Sequence, residues 1–100
     1  MSTLIRKSAK DEECTLNIAG VCNYNKGTVV LCHFPSELAG IGTKSPDYCA
    51  GYGCSACHDA IDNRMDAGLT DYEREFYMRR STIRTIGRLI EKGIIAIKGE

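Results

Sequence analysis

The chain has no tryptophan, only two prolines and no net charge. Each shortage narrows what it can be. With 100 residues and few large aromatic side chains, it makes one domain at most, and a chain of this length buries only about 60–65% of its unfolded surface. Zero net charge excludes a globally basic nucleic-acid binder but leaves room for a local basic face. No apolar run approaches the roughly 20 residues of a membrane span, so no membrane partner is expected. The stretch Met1 to Lys7 has no apolar segment of the kind that forms a signal peptide. The reading therefore places the chain in the cytoplasm, where thiols stay reduced. Internal repeats and low-complexity stretches are missing too.

Six cysteines stand out against these shortages. In a reducing compartment they read as metal ligands plus spare thiols rather than as three disulfides. Cys54-Ser55-Ala56-Cys57 is a C-x-x-C pair that runs straight into His58 and Asp59. Cys14 and Cys22, with seven residues between them, make a second and wider pair. Zinc takes four thiolates in a tetrahedron, and a helix beginning near Ser55 favours thiolates at its N-terminus. A structural zinc held by Cys14, Cys22, Cys54 and Cys57 would supply stability that so small a core lacks. Two other readings of the motif stay open. A redox pair normally accompanies a βαβ pattern, which is missing here. C-x-x-C-H is also a haem attachment motif, but that needs export and an axial partner such as Met65 or Met78, so no haem is expected. Cys32 and Cys49 sit in apolar, strand-like runs and read as buried, inert thiols. Strand alternation turns Cys32 away from His33.

Along the chain, residues 3–12 are polar and helix-compatible, residues 14–22 a compact turn region, and Asn23 to Gly27 a turn cluster. Thr28 to Cys32 reads as a strand that delivers His33 at its end and is stopped by Pro35. A Gly-, Ser- and Thr-containing loop from Ser36 to Pro46 carries Lys44. Tyr48 to Gly53 is a second, weaker strand, and a helix runs from Ser55 to about Ala67. Thr70 and Glu73 form a capping box that opens a helix reaching about Lys92, with Gly93 as its stop. On it Tyr72, Phe76, Ile83, Ile86 and Ile90 recur as a core-facing stripe. Such a stripe can bury against the domain or against a second copy, which leaves a homodimer open. Ile94 to Ile97 reads as a last strand.

The chain has two histidines. His58 and Asp62, four residues apart on one helix, share a face and can hold a divalent cation with positions left for water and substrate. His33, free of metal, can then activate water as general base. Asp59 reads as first-turn charge complementing the helix dipole. Arg80, Arg84 and Arg88, at successive fourth positions, form a row that can track a phosphate backbone or simply be a solvated face.

Arg6-Lys7, Glu13-Cys14, Gly20-Val21-Cys22-Asn23, His33, Gly40, Gly42-Thr43-Lys44, Pro46-Asp47, Cys54 to Asp59, Ile61-Asp62 and Arg64 form an ordered set. The pattern resembles the HNH branch of the His-Me finger nucleases. More closely, from about Leu4 to Arg64, it is similar to the YbcO-type nucleases of lambdoid prophages. The resemblance implies an α+β fold: a small zinc-stabilised ββα-metal domain, treble-clef-like, over residues 14–67, with an added C-terminal helix over 70–92, all in a single domain of residues 1–100. It implies a phage or prophage endonuclease that hydrolyses DNA phosphodiester bonds in the host cytoplasm. His33 would be the base, with Mg²⁺ or Mn²⁺ at His58 and Asp62. Lys44 or Arg64 would grip a neighbouring phosphate. The chain departs from the HNH pattern twice: Cys32 precedes the histidine where an aspartate is usual, and no asparagine lies between His33 and Cys57. Asp47 or Asp62 are the candidates to compensate. The alternative is a non-catalytic zinc module that binds nucleic acid or a protein partner.

Overall fold

The computed structural model describes residues 4–35 and 45–99. Within them the chain is a small α+β domain whose sheet has two strands. A short helix α1 (Leu4–Lys7) leads into the cysteine-containing turn region, and a 3₁₀ turn (Lys26–Thr28) precedes β1 (Val30–His33). Then follow β2 (Ala50–Gly53), α2 (Ser55–Ile61) and α3 (Asp71–Glu91). The strands are antiparallel, with Leu31 opposite Tyr52 and His33 opposite Ala50. Most of the loop between the strands, including Gly40, Gly42, Thr43 and Lys44, lies outside the described residues.

β2 is buried at all four positions, and among the described residues only one of its edges has a strand beside it. Its other edge turns the Tyr52 amide and carbonyl into protein, where each would cost about 1–3 kcal/mol if left without a partner. Hydroxyls meet both groups. The Tyr52 amide donates to Thr85 Oγ1 at 3.0 Å, and the Tyr52 carbonyl accepts from Thr15 Oγ1 at 2.9 Å and from the Thr15 amide at 2.9 Å. Thr15 Oγ1 is itself 2.6 Å from Ser81 Oγ and 3.0 Å from Thr85 Oγ1. The side of α3 that covers β2 is therefore Met78, Ser81, Thr85 and Leu89, half of it hydroxyl-bearing.

This overturns the stripe expected from periodicity. Tyr72, Phe76, Ile83 and Ile90 are exposed and Ile86 is half-buried, because the helix turns its hydroxyls inward to serve the strand edge. Gly51 makes the approach possible: a Cβ there would lie 2.0 Å from Ser81 Oγ and 2.9 Å from Ser81 Cβ.

Two helix ends also differ from expectation or explain it. α2 stops at Ile61 rather than near Ala67, since Asn63 takes a left-handed φ of 59° and the Arg64 amide folds back onto the Asp59 carbonyl at 2.8 Å. The Arg74 guanidinium donates to the Ile61 carbonyl and pins this end to α3. At the start of α3 the capping box is present as expected, with Thr70 and Glu73 serving each other's amides. Its end is Gly93, φ 74°, with the Ile94 amide on the Leu89 carbonyl at 2.9 Å. Residues 94–97 are consequently turn and irregular chain, not a third strand.

α1 is fastened to the same frame. Tyr52, wholly buried, brings its hydroxyl to 2.7 Å from Ser8 Oγ. Lys92 Nζ donates to the Ser8 carbonyl at 2.8 Å. Glu12 accepts a two-pronged hydrogen bond from Arg88, at 2.8 and 3.1 Å, and pairs with Lys92. The Arg88 guanidinium pulls the Glu12 carboxyl down from 4.5 to about 2, against the effect of burial. No helix among the described residues is long and apolar enough to cross a membrane.

Two outcomes are expected. Gly51→Ala should destabilise the fold by about 2–3 kcal/mol through overpacking, read as a lower urea midpoint, and adding Ser81→Gly should recover part of that loss. Glu12 has a folded-state pKa below its unfolded one, so its contribution is complete above about pH 4.5 and is lost as pH falls toward 2. Glu12→Gln should flatten the acid limb of the stability curve in that window while lowering stability at neutral pH.

Candidate functional site

Four sulfurs meet where the turn region, the end of β2 and the start of α2 converge. The Sγ atoms of Cys14, Cys22, Cys54 and Cys57 all lie within 4.8 Å of one another, and Cys22 and Cys54 are 3.9 Å apart. A tetrahedron of Zn–S bonds about 2.3 Å long places its sulfurs about 3.8 Å apart, so the set is of the right size. The wide Cys14–Cys22 spacing is taken up by left-handed turns at Asn17 (φ 41°) and Gly20 (φ 76°) and by the Val21 and Cys22 amides, both on the Ile18 carbonyl at 3.0 Å. Cys54 is the N-cap of α2 and accepts from the Cys57 amide at 3.4 Å.

Backbone amides surround the sulfurs. Cys14 Sγ accepts from Asn17 at 3.3 Å and Cys54 at 3.2 Å, and Cys57 Sγ accepts from Ile18 at 3.4 Å. Without a cation the four thiols cannot all ionise. Cys14 is drawn down to about 5 by the hydrogen bond Cys57 gives it, while Cys57 is pushed up by the same contact and Cys22 is pushed up to about 11 by burial. One divalent ion at the centre would replace this shared proton arrangement with four thiolates.

Cys32 lies apart from the knot. Its Sγ faces the place where a Gly53 Cβ would sit. Burial first, then the charges of Asp62, Cys14 and Cys54, push its thiol up to about 12, and it is buried as expected. Cys49 is half-buried rather than buried.

His33 ends β1, as the sequence suggests, and meets a partner that local pattern does not reveal. Its Nε2 is 2.7 Å from Asp47 Oδ1, and Arg6 Nε reaches the same oxygen at 3.3 Å. The His33 hydrogen bond, seconded by Arg6, holds the Asp47 carboxyl below its usual range. Since a carboxylate only accepts, Nε2 carries the proton and Nδ1 is the basic nitrogen. Asp47 lies 14 residues from His33 and Arg6 lies 41 residues from Asp47. No periodicity links such positions; only their density of charge and the turn-forming Pro46 single them out.

His33 also lines a cleft of about 640 Å³ whose wall includes Arg6, Lys7, Lys10 and Lys26. The zero net charge of the chain conceals this local concentration of cations.

His58 and Asp62 do share a face of α2, Nε2 to Oδ2 being 3.1 Å. Two ligands at about 2.1 Å on adjacent corners of an octahedron sit about 3 Å apart, so the pair fits two positions on one hard cation. Arg64 already leans on this pair, 3.3 Å from Asp62 and 3.6 Å from Asp59. Among the described residues no hydrogen bond or ion pair joins His33 to His58 or Asp62, and the four cysteines are the cluster of three or more metal-ligating groups.

The arginine row is not a uniform rank. Arg80 donates to the Leu16 and Asn17 carbonyls at 2.9 and 3.2 Å and lies against the Phe76 and Tyr77 rings. Arg88 is committed to Glu12 and Glu91. Arg84 is the exposed member.

Residues 3–94 match the family model described as "Putative nuclease YbcO". The chain is 52% identical over 68 residues to "Putative nuclease YbcO" of Escherichia coli (strain K12), covering 64% of this chain and 71% of that one. It has the same identity and coverage to "Putative nuclease ybcO" of Enterobacteria phage 82. Among solved structures it is similar to one described as "Structure of a putative bacteriophage protein from Escherichia coli str. K-12 substr. MG1655". The TM-score is 0.75 and the identity 34%, over 90% of this chain and all of that one.

For the sulfur knot the expected outcome is one zinc per chain by elemental analysis, lost together with the folded far-UV spectrum on chelation. A structural zinc contributes about 10–16 kcal/mol of folding free energy in small peptides at neutral pH, more than a domain this size has to spare. Cys54→Ser should therefore bind little zinc and melt far lower. Metal-free wild type that keeps its spectrum and melting temperature would rule this role out.

Proposed function

The chain belongs to the YbcO family, and from that premise we propose that it is a metal-dependent endonuclease of phage or prophage origin, of HNH-like His-Me finger type, that hydrolyses DNA phosphodiester bonds in the cytoplasm of a bacterial host. One observation carries the reading. An imidazole at a strand end, held by a carboxylate, stands in the wall of a cleft lined by Arg6, Lys7, Lys10 and Lys26. Phosphate is the ligand chemistry that such a wall suits, and a base with a fixed tautomer is what water activation beside a phosphate needs.

In this reading the cations of the cleft seat the backbone of the substrate, while His33 Nδ1 takes a proton from the attacking water. Asp47, ionised and braced by Arg6, keeps Nε2 protonated and offsets the charge the ring gains as imidazolium. His58 and Asp62 are the side chains that would hold Mg²⁺ or Mn²⁺; when bound, such an ion supplies electrostatic stabilisation of the charge developing on phosphate oxygens. Arg84, exposed on α3, is available to a further phosphate, as Lys44 would be from its place outside the described residues, while Arg64 would reach one by leaving Asp59 and Asp62. Zinc at the four cysteines keeps a structural role.

Zinc-loaded protein incubated with supercoiled plasmid and Mg²⁺ or Mn²⁺ should nick it, and EDTA should stop the reaction. His33→Ala should lower the rate by roughly 10²–10⁴-fold, the usual worth of a general base, without changing DNA affinity. Asp47→Asn should fall between, since the amide no longer enforces the tautomer. Charge reversal at Lys7 and Lys10 should instead weaken binding and reduce its dependence on salt. Nicking that survives in His33→Ala would remove the assigned base. DNA binding with no nicking of any substrate would leave a non-catalytic zinc module as the better account.

A further inference from the structure

α3 has apolar residues on two sides, and the described residues cover only one of them. Met78, Ser81, Thr85 and Leu89 face the sheet. Facing outward, Tyr72 is 79% exposed, Phe76 41%, Ile83 65% and Ile90 38%. Their spacing is not that of a merely amphipathic surface. Phe76, Ile83 and Ile90 recur every seven residues, and Tyr72, Arg79 and Ile86 recur every seven between them. This is the alternating three-and-four spacing of a helix-pairing seam, kept over three heptads.

Gly87 sits beside Ile83 and Ile86 on this side. Glycine weakens a helix interior, and among the described residues a Cβ at Gly87 would meet nothing within 4 Å, so their packing gives no reason for it. A second helix backbone lying against this face gives one, since it could approach without a side chain in the way.

We propose that this face is a self-association surface and that two copies of the chain pair through it with their α3 helices antiparallel. Charge selects both the occupant and the direction. A parallel pair would set Arg79 against Arg79 within the seam and align the acidic first turns, which carry Asp71 and Glu73. In an antiparallel pair Ile83 meets Ile86 of the second copy, and Arg79 falls opposite Ile90, flanked by Glu91, whose carboxylate is exposed and would be shared with Arg88 of its own chain at 2.6 Å. The face thus carries its own complement at its other end, which is the condition for a closed two-fold dimer. Its exposed apolar groups amount to on the order of 500 Å² per copy before the arginine stems are counted, close to the roughly 600–1,000 Å² per partner of specific interfaces.

Sedimentation of the zinc-loaded full chain, from micromolar to sub-millimolar concentration, should show a mass approaching twice 11.0 kDa. Ile83→Glu should raise the dissociation constant by at least about tenfold, as loss of a central apolar contact does. Arg79→Glu and Glu91→Arg should each weaken pairing, and the two together should restore it. Wild type that stays at single-chain mass throughout, whether or not it captures some other protein, overturns the proposal, as does an unchanged dissociation constant in Ile83→Glu. If Ile83→Glu proves misfolded by circular dichroism, the Arg79/Glu91 exchange decides. Tighter pairing in Arg79→Glu alone would indicate parallel helices and overturn the antiparallel arrangement. None of these readouts depends on nuclease activity.

Discussion

Everything in this fold has to answer to one strand edge. β2 is buried along its length, yet a two-stranded ribbon can pair only one of its sides. The backbone groups of Tyr52 on the far side must find partners inside the protein, and Thr15 and Thr85 provide them. Both threonines are buried, and Ser81 completes the set by bonding Thr15 rather than water. A long helix with hydroxyls on its inner face is thus the third layer that a sheet with too few strands requires. Gly51 is the geometric counterpart, since any side chain there would hold the helix off the strand.

The same edge ties the fold to the sulfur knot. Thr15 follows Cys14 directly, and the amides of both Thr15 and Leu16 reach the Tyr52 carbonyl. The segment that covers the strand edge is therefore the segment that carries the first cysteine of the knot. On β2's far end Cys54 follows Gly53 and caps α2. Drawing the four sulfurs together fixes where Thr15 lies against β2, and through Thr15 the position of α3. Loss of the knot would release the helix as well as the turn, which is how four of 100 residues can govern the whole.

Local chemistry was legible in the sequence wherever the partners are close in the chain. The capping box at Thr70 and Glu73 and the stop at Gly93 are where pattern puts them, and the strand that presents His33 exists but begins at Val30, because Thr28 closes a 3₁₀ turn. The C-x-x-C pair and its distant mate also converge, because zinc-site spacing encodes a contact directly. Pattern failed where a distant backbone group set the rule. Periodicity assigned the apolar stripe of α3 to the core because hydrophobic burial is the usual reason for a helix to face inward; here unpaired peptide groups outrank it. The Asp47 partner of His33 was equally out of reach, being a pairing between a strand end and a loop that only the folded chain creates. The tail from Ile94 to Ile97 has strand composition, but its first amides are consumed in closing α3.

The charged residues sort themselves by the same logic, and this bears on where a polyanion can lie. A guanidinium already satisfied by buried acceptors has little left to offer a phosphate. Arg80 is spent on the carbonyls beside Cys14, Arg88 on Glu12, and Arg74 on the end of α2. These arginines act as struts between α3 and the rest of the chain, and the evenly spaced row that suggests a binding track owes its two ends, Arg80 and Arg88, to that duty. Around His33 the balance is reversed. Lys7 and Lys10 are exposed and have no ion pair among the described residues, Lys26 is held only by a loose 3.8 Å contact with Glu13, and Arg6 serves Asp47 from the cleft wall. A polyanion approaching this molecule therefore finds its available cations on the α1 side, beside the imidazole, so the electrostatics of association and the position of the candidate base favour the same face.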